Sequence, residues 1–146
     1  MIKESEQNIA HMEYAVRLAK KVLGQTHPNP MVGAVIVEGG KVVAEGHHQK
    51  SGDKHAEIIA LDSYIGTPQP DTTLFITLEP CCTEGRTGAC TNATINSGIK
   101  HVVIGTVDPN PKHAGAGVKL LESAGISVQI GVLEEACREM NLIFNH

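Results

Sequence analysis

The chain has 146 residues, 41% of them hydrophobic, with two Phe, two Tyr, no Trp and a formal net charge of −4. That length suits a single domain, residues 1–146, whose core is mainly Val, Ile, Leu and Ala. The acidic balance, the absence of any Lys/Arg run longer than Lys20-Lys21 and the scarcity of rings for base stacking all argue against nucleic acid as a partner.

The polar, mixed-charge residues 1–8 do not read as an export signal, and the apolar run 31–37 is far shorter than the roughly 20 residues that span a bilayer. A cytoplasmic protein is expected, with its four cysteines reduced and available to a metal.

Ile9, Met12, Val16, Ala19 and Leu23 recur three or four residues apart, which predicts an amphipathic helix over 5–23 that stops at Gly24. Thr26-His27-Pro28-Asn29-Pro30 is a loop stiffened by prolines, with Asn29 projecting. Residues 31–37 read as a buried strand, Glu38-Gly39-Gly40-Lys41 as a hairpin turn and 42–47 as the antiparallel return. Ser51-Gly52-Asp53 supplies a helix-capping candidate before a helix over 54–64, and 66–71 is a surface loop with two prolines.

A β-branched strand follows at 72–78, then a Gly-containing loop at 80–89, and Cys90 opens a helix ending near Gly98. The remaining pattern is strand 101–106, loop 108–111, helix 112–124, strand 126–130 and helix 134–144. Strands alternating with helices imply parallel pairing. The expected fold is an α/β/α three-layer sandwich around a mixed five-stranded sheet that begins with an antiparallel hairpin. Cys137, at helical spacing from Leu133, Ala136 and Met140, reads as core.

Chemistry concentrates between 55 and 90. His55 and Glu57 fall in the first turn of one helix, Cys81 follows a strand end, and Cys90 opens another helix. On a regular helix residues two apart point about 200° apart, but in the first turn both can still converge just beyond the N-terminus. Strand ends of this kind form the carboxyl edge of the sheet, where open α/β sheets bind ligands, and helix N-termini favour thiolates there.

One imidazole and two thiolates are three zinc ligands, which leaves the fourth tetrahedral position open as catalytic sites do. Glu57 then remains to move protons. Histidine, a carboxylate two residues on, and two cysteines beyond a proline form the signature of zinc-dependent nucleobase deaminases. Cys82, adjacent to Cys81, points away from it and reads as a packing residue.

Eight residues separate Cys81 from Cys90, where the common deaminase pattern has two. With that spacing, THPNPMVGAVIV at 26–37, HAE at 55–57, LEPCCTEGRTGAC at 78–90 and DPNP at 108–111 resemble the deaminase domain of the bacterial riboflavin-biosynthesis deaminase/reductase. Gly115-Ala116-Gly117 and Ala124-Gly125-Ile126 extend the resemblance over nearly the whole chain. It implies a cytidine-deaminase-like fold and hydrolytic loss of the 2-amino group, as ammonia, from 2,5-diamino-6-ribosylamino-4(3H)-pyrimidinone 5′-phosphate.

Carried over by motif, His55, Cys81 and Cys90 resemble the zinc ligands and Glu57 the proton shuttle. Asn29, His48, Asp108 and Asn110 fall among the substrate-facing positions, and Arg86 stands where the family has a basic residue suited to the phosphate. The chain departs from the family at Cys82-Thr83, in place of Ser-His, and at Gly88-Ala89, in place of Pro-Pro. In the family a reductase domain normally follows, whereas this sequence stops at His146, so a separate reductase polypeptide is expected for any reduction, and a small domain with apolar faces is expected to self-associate as a dimer or higher. Two other readings stay open: deamination of another small nucleobase, nucleoside or pterin, and a zinc-bound binding module without turnover.

Overall fold

In the computed structural model, residues 4–20, 32–47, 56–79, 89–107 and 115–144 are described. The sheet starts from a hairpin of β1 (Gly33–Glu38) and β2 (Lys41–His47), which pair antiparallel from Glu38 opposite Lys41 to Gly33 opposite His47. Gly39 and Gly40 join them at φ 61° and 81°. Two successive left-handed residues make the turn whose twist matches that of the strands, and glycine adopts that conformation without a Cβ penalty.

The strand order is β2-β1-β3-β4-β5, with β3 (Thr73–Leu78), β4 (His101–Thr106) and β5 (Ser127–Ile130) mutually parallel. β1 is antiparallel to β3 as well as to β2, while the strands that alternate with helices from β3 onward pair in parallel as expected. The physical reason is that the hairpin reverses the chain before the first crossover. α2 (Ala56–Ser63) therefore connects β2 to a strand parallel to it, β3, with β1 lying between the two.

Alternate residues along each strand face opposite layers. Ala34, Ile36, Leu74, Ile76, Val102 and Ile104 form one core with Ala56, Ala60, Val118 and Leu121, under the layer of α2, α3 (Ala89–Ser97) and α4 (Ala116–Ser123). Val35, Val37, Phe75 and Val103 form the other core with Met12, Ala15, Val16, Leu18, Ala19 and Cys137, under α1 (Glu4–Lys20) and α5 (Glu134–Phe144). The three layers, the mixed sheet and its opening hairpin are as expected from the sequence.

Most elements fall within two residues of their expected limits, and β4 and α5 match them. α4 begins at Ala116, later than expected; residues 21–24 at the expected end of α1, residues 54–55 at the expected start of α2, residues 112–114 and the capping candidate at 51–53 lie outside the described residues. One apolar position is a correction. Ile9 is 41% exposed, because the buried stripe of α1 runs through Met12, Ala15, Val16 and Ala19; next to it the half-buried Asn8 donates from Nδ2 to Gln129 Oε1 at 3.1 Å on the surface. Cys137 of α5 is fully buried, as expected, while its neighbour Ala136 is exposed.

Two close approaches hold helices onto the sheet where they matter for the site. A Cβ on Gly46 would collide with Ala56 O and reach 2.7 Å from Ala60 N, so the first turns of α2 rest directly on β2. A Cβ on Gly33 would collide with the backbone of Ala15 in α1 in the same way. Beyond the other end of α2, Tyr64 OH donates to Glu38 Oε1 at 2.6 Å, and Thr72 Oγ1 donates to the same oxygen at 2.7 Å. The helix is thus anchored at the sheet edge opposite its N-terminus.

Candidate active site

The helix on the crossover α2 must start at the edge where β2 ends, and those following β3 and β4 start where those strands end. The N-termini of α2, α3 and α4 therefore gather at one edge of the sheet. Their positive dipole ends make that edge favourable to thiolates, carboxylates and anionic ligands.

Glu57 lies in the first turn of α2 and is only 2% exposed. Cys90 is the second residue of α3, and α2 and α3 pack against each other. Two members of the expected centre thus stand on the first turns of adjacent helices. Thr91 and Thr94 of α3 are buried as well.

His55, Cys81, Asn29, His48, Arg86, Asp108 and Asn110 lie outside the described residues, as do Cys82 and Thr83. Each described element next to them ends at the same edge. His48 follows the end of β2, His55 directly precedes α2, Cys81 is two residues beyond Glu79 at the end of β3, and Asp108 follows Val107 after β4. Among the described residues no three His, Cys, Asp or Glu side chains come together as a metal site. The donor chemistry of His55, Cys81 and Cys90 fits zinc, and a buried carboxylate in the first turn of α2 fits a group kept apart from the ligands to handle protons.

Two residues that sequence reasoning passed over organise this edge. Thr77 Oγ1 accepts the Gly33 N–H at 3.2 Å, which pins the start of β1 to the end of β3. Glu79 is 5% exposed; its Oε1 accepts the Gly115 N–H and its Oε2 the Val118 N–H, each at 3.0 Å. The sequence signal for Glu79 was its place directly after a strand, at an edge where helix N-termini offer unpaired N–H groups.

A family model described as the cytidine and deoxycytidylate deaminase zinc-binding region matches residues 5–106. The chain is 52% identical over 141 residues to riboflavin biosynthesis protein RibD of Aquifex aeolicus, covering 97% of this chain and 39% of that protein. It is 47% identical over 131 residues to the diaminohydroxyphosphoribosylamino-pyrimidine deaminase of Buchnera aphidicola, covering 90% of this chain and 88% of that protein.

Among solved structures, the diaminohydroxyphosphoribosylaminopyrimidine deaminase/5-amino-6-(5-phosphoribosylamino)uracil reductase of Thermotoga maritima superposes with a TM-score of 0.88 at 44% identity, covering 97% of this chain and 41% of that one. The chain spans about two-fifths of the length of these longer relatives.

Proposed function

Because the chain belongs to the cytidine and deoxycytidylate deaminase zinc-binding family, we propose that it is the zinc-dependent aminohydrolase of riboflavin biosynthesis. In this reading it removes the 2-amino group of 2,5-diamino-6-ribosylamino-4(3H)-pyrimidinone 5′-phosphate as ammonia and leaves 5-amino-6-(5-phosphoribosylamino)uracil. The observation that carries it is the burial of Glu57 in the first turn of α2, beside the first turn of α3 that holds Cys90. The Buchnera aphidicola relative, named for this deamination and matched over most of its length, supports the substrate.

In this reading His55, Cys81 and Cys90 hold the zinc. Zinc, when bound, acts as a Lewis acid that makes hydroxide available near neutral pH. Glu57 accepts the proton of the attacking water and passes it to the ring nitrogen; it then takes the hydroxyl proton of the resulting adduct and passes it to the amine, which departs as ammonia as the C–N bond breaks and the carbonyl forms. One carboxylate serves both steps because proton uptake and release follow each other. Its burial keeps solvent from competing for those protons. Asn29, His48, Asp108 and Asn110 orient the substrate, and Arg86 takes its phosphate.

Deamination alone is proposed for this chain. A cytoplasmic location follows from the need for reduced thiols as zinc ligands; no described helix is long and apolar enough to cross a membrane. Self-association as a dimer or higher is supported by the open edges that β2 and β5 present, with Val43 and Ile130 each 43% exposed.

Metal analysis tests the assignment. Cys81→Ser and Cys90→Ser are expected to lose zinc while Cys82→Ser keeps it. Loss of zinc from Cys82→Ser with retention by Cys81→Ser would overturn the ligand set. A panel of free bases, nucleosides and the phosphorylated pyrimidine, read by ammonia release, tests the substrate.

A further inference from the structure

We propose that Glu79 is a positioning residue that joins the metal-binding segment after β3 to the start of α4. The end of β3, which leads in sequence to Cys81, is thereby tied to the N-terminus of α4. This rests on the ligand and substrate assignments above and adds a residue to them.

Glu79 is held at both ends. Its N–H donates to Thr106 O at 2.9 Å, which continues the β3–β4 pairing past Leu78. Its carboxylate, almost fully buried, accepts from Gly115 N and Val118 N, residues 36 and 39 positions later in the chain. Bonds from N–H groups to an ionised carboxylate are about twice as strong as neutral ones, and the positive end of α4 adds to them.

The N-cap position of α4 is Gly115, at φ 82° and with no side-chain cap bond of its own. A Ser or Asp at the N-cap is the ordinary local way to satisfy such N–H groups. Here the cap comes from the residue that leads into Pro80-Cys81. Stability of α4 alone does not call for that source, whereas registration of two segments does. Pro80 follows Glu79 directly, and Gly115 directly follows the segment that contains Asp108 and Asn110. A shift of the first turn of α4 is therefore transmitted through one carboxylate to the backbone that leads to a zinc ligand.

The test uses zinc-loaded Glu79→Gln, which keeps the length of the side chain but presents an amide N–H₂ to one of the two N–H donors. Zinc release to a chromogenic chelator is expected to be about 10–100-fold faster than in the wild type, the usual scale for residues that orient metal ligands. KM for the phosphorylated substrate is expected to rise more than kcat falls. A lower melting temperature with unchanged zinc release and unchanged KM would overturn the proposal.

Should Glu79→Gln fail to fold, the wild type decides. Coupling is reciprocal, so removal of zinc should speed hydrogen exchange at the Gly115 and Val118 amides while Val102 and Val103 stay protected. Unchanged exchange at Gly115 and Val118 would overturn it. Cys90→Ser, run in parallel, separates the two levels. Zinc retained there strikes the ligand assignment and the metal arm of this proposal with it. Zinc lost there beside unchanged release in Glu79→Gln removes the role of Glu79 alone.

Discussion

Gly105 of β4 lies directly beneath Cys137 of α5: a Cβ added at Gly105 would collide with the Cys137 Sγ and come within 2.8 Å of Thr77 O. The position tolerates nothing larger than hydrogen. Gly105→Ala should therefore destabilise the fold by about 1–3 kcal/mol, the range for overpacked cores. Combining it with Cys137→Ala removes the sulfur but leaves the Thr77 carbonyl, so thermal denaturation should show a partial rescue. Full additivity of the two single changes would mean that the residues do not meet.

Cys137 itself carries a pH dependence. Burial pushes its thiol from an ordinary 9.0 up to about 12, with the Glu134 carboxylate adding to the effect. Below about pH 9 the thiol is neutral in both folded and unfolded chains, and the stability it protects is fully present. Between about 9 and about 12 only the unfolded chain releases the proton, so stability is lost as pH rises, by at most about 1.4 kcal/mol per pH unit. Denaturant unfolding of wild type and Cys137→Ala over pH 8 to 11 is the measurement. The slopes are expected to differ in this window and to coincide below it.

Much of this architecture is legible in the sequence because each strand is a short apolar run between turn residues. The run His101–Thr106 maps onto β4 without adjustment, and Gly39-Gly40 announces the hairpin by its need for left-handed backbone. Pairing direction was less legible. A strand–helix alternation gives the crossover but not which strand lies between the two it connects, and β1 sits there.

Ile9 was misread for a related reason. Periodicity gives a stripe about 100° wide, and tertiary contacts such as Asn8 with Gln129 decide its edges. At the candidate site, the placement of Glu57 and Cys90 in the first turns of two helices was legible in the sequence. Glu79 was not, because its partners are backbone amides far along the chain, which no local pattern displays.

Arg86 is expected to read the phosphate. A guanidinium meets phosphate through two parallel hydrogen bonds and stays charged at any working pH. Arg86→Ala should lower kcat/KM for the phosphorylated substrate by about 1.5–3 kcal/mol in transition-state binding. The dephosphorylated ribosylamino compound should lose much less. Equal losses on the two substrates would assign Arg86 to holding its loop.

The central claim, a zinc aminohydrolase in which Glu57 moves the protons, is tested most directly by zinc content and ammonia release measured on the same preparation of Glu57→Gln. The amide matches the carboxylate in size but cannot accept and return a proton. Full zinc occupancy with turnover of the phosphorylated pyrimidine reduced by about 10²–10⁴-fold is the predicted result. Ammonia release near the wild-type rate from the zinc-loaded variant would contradict it.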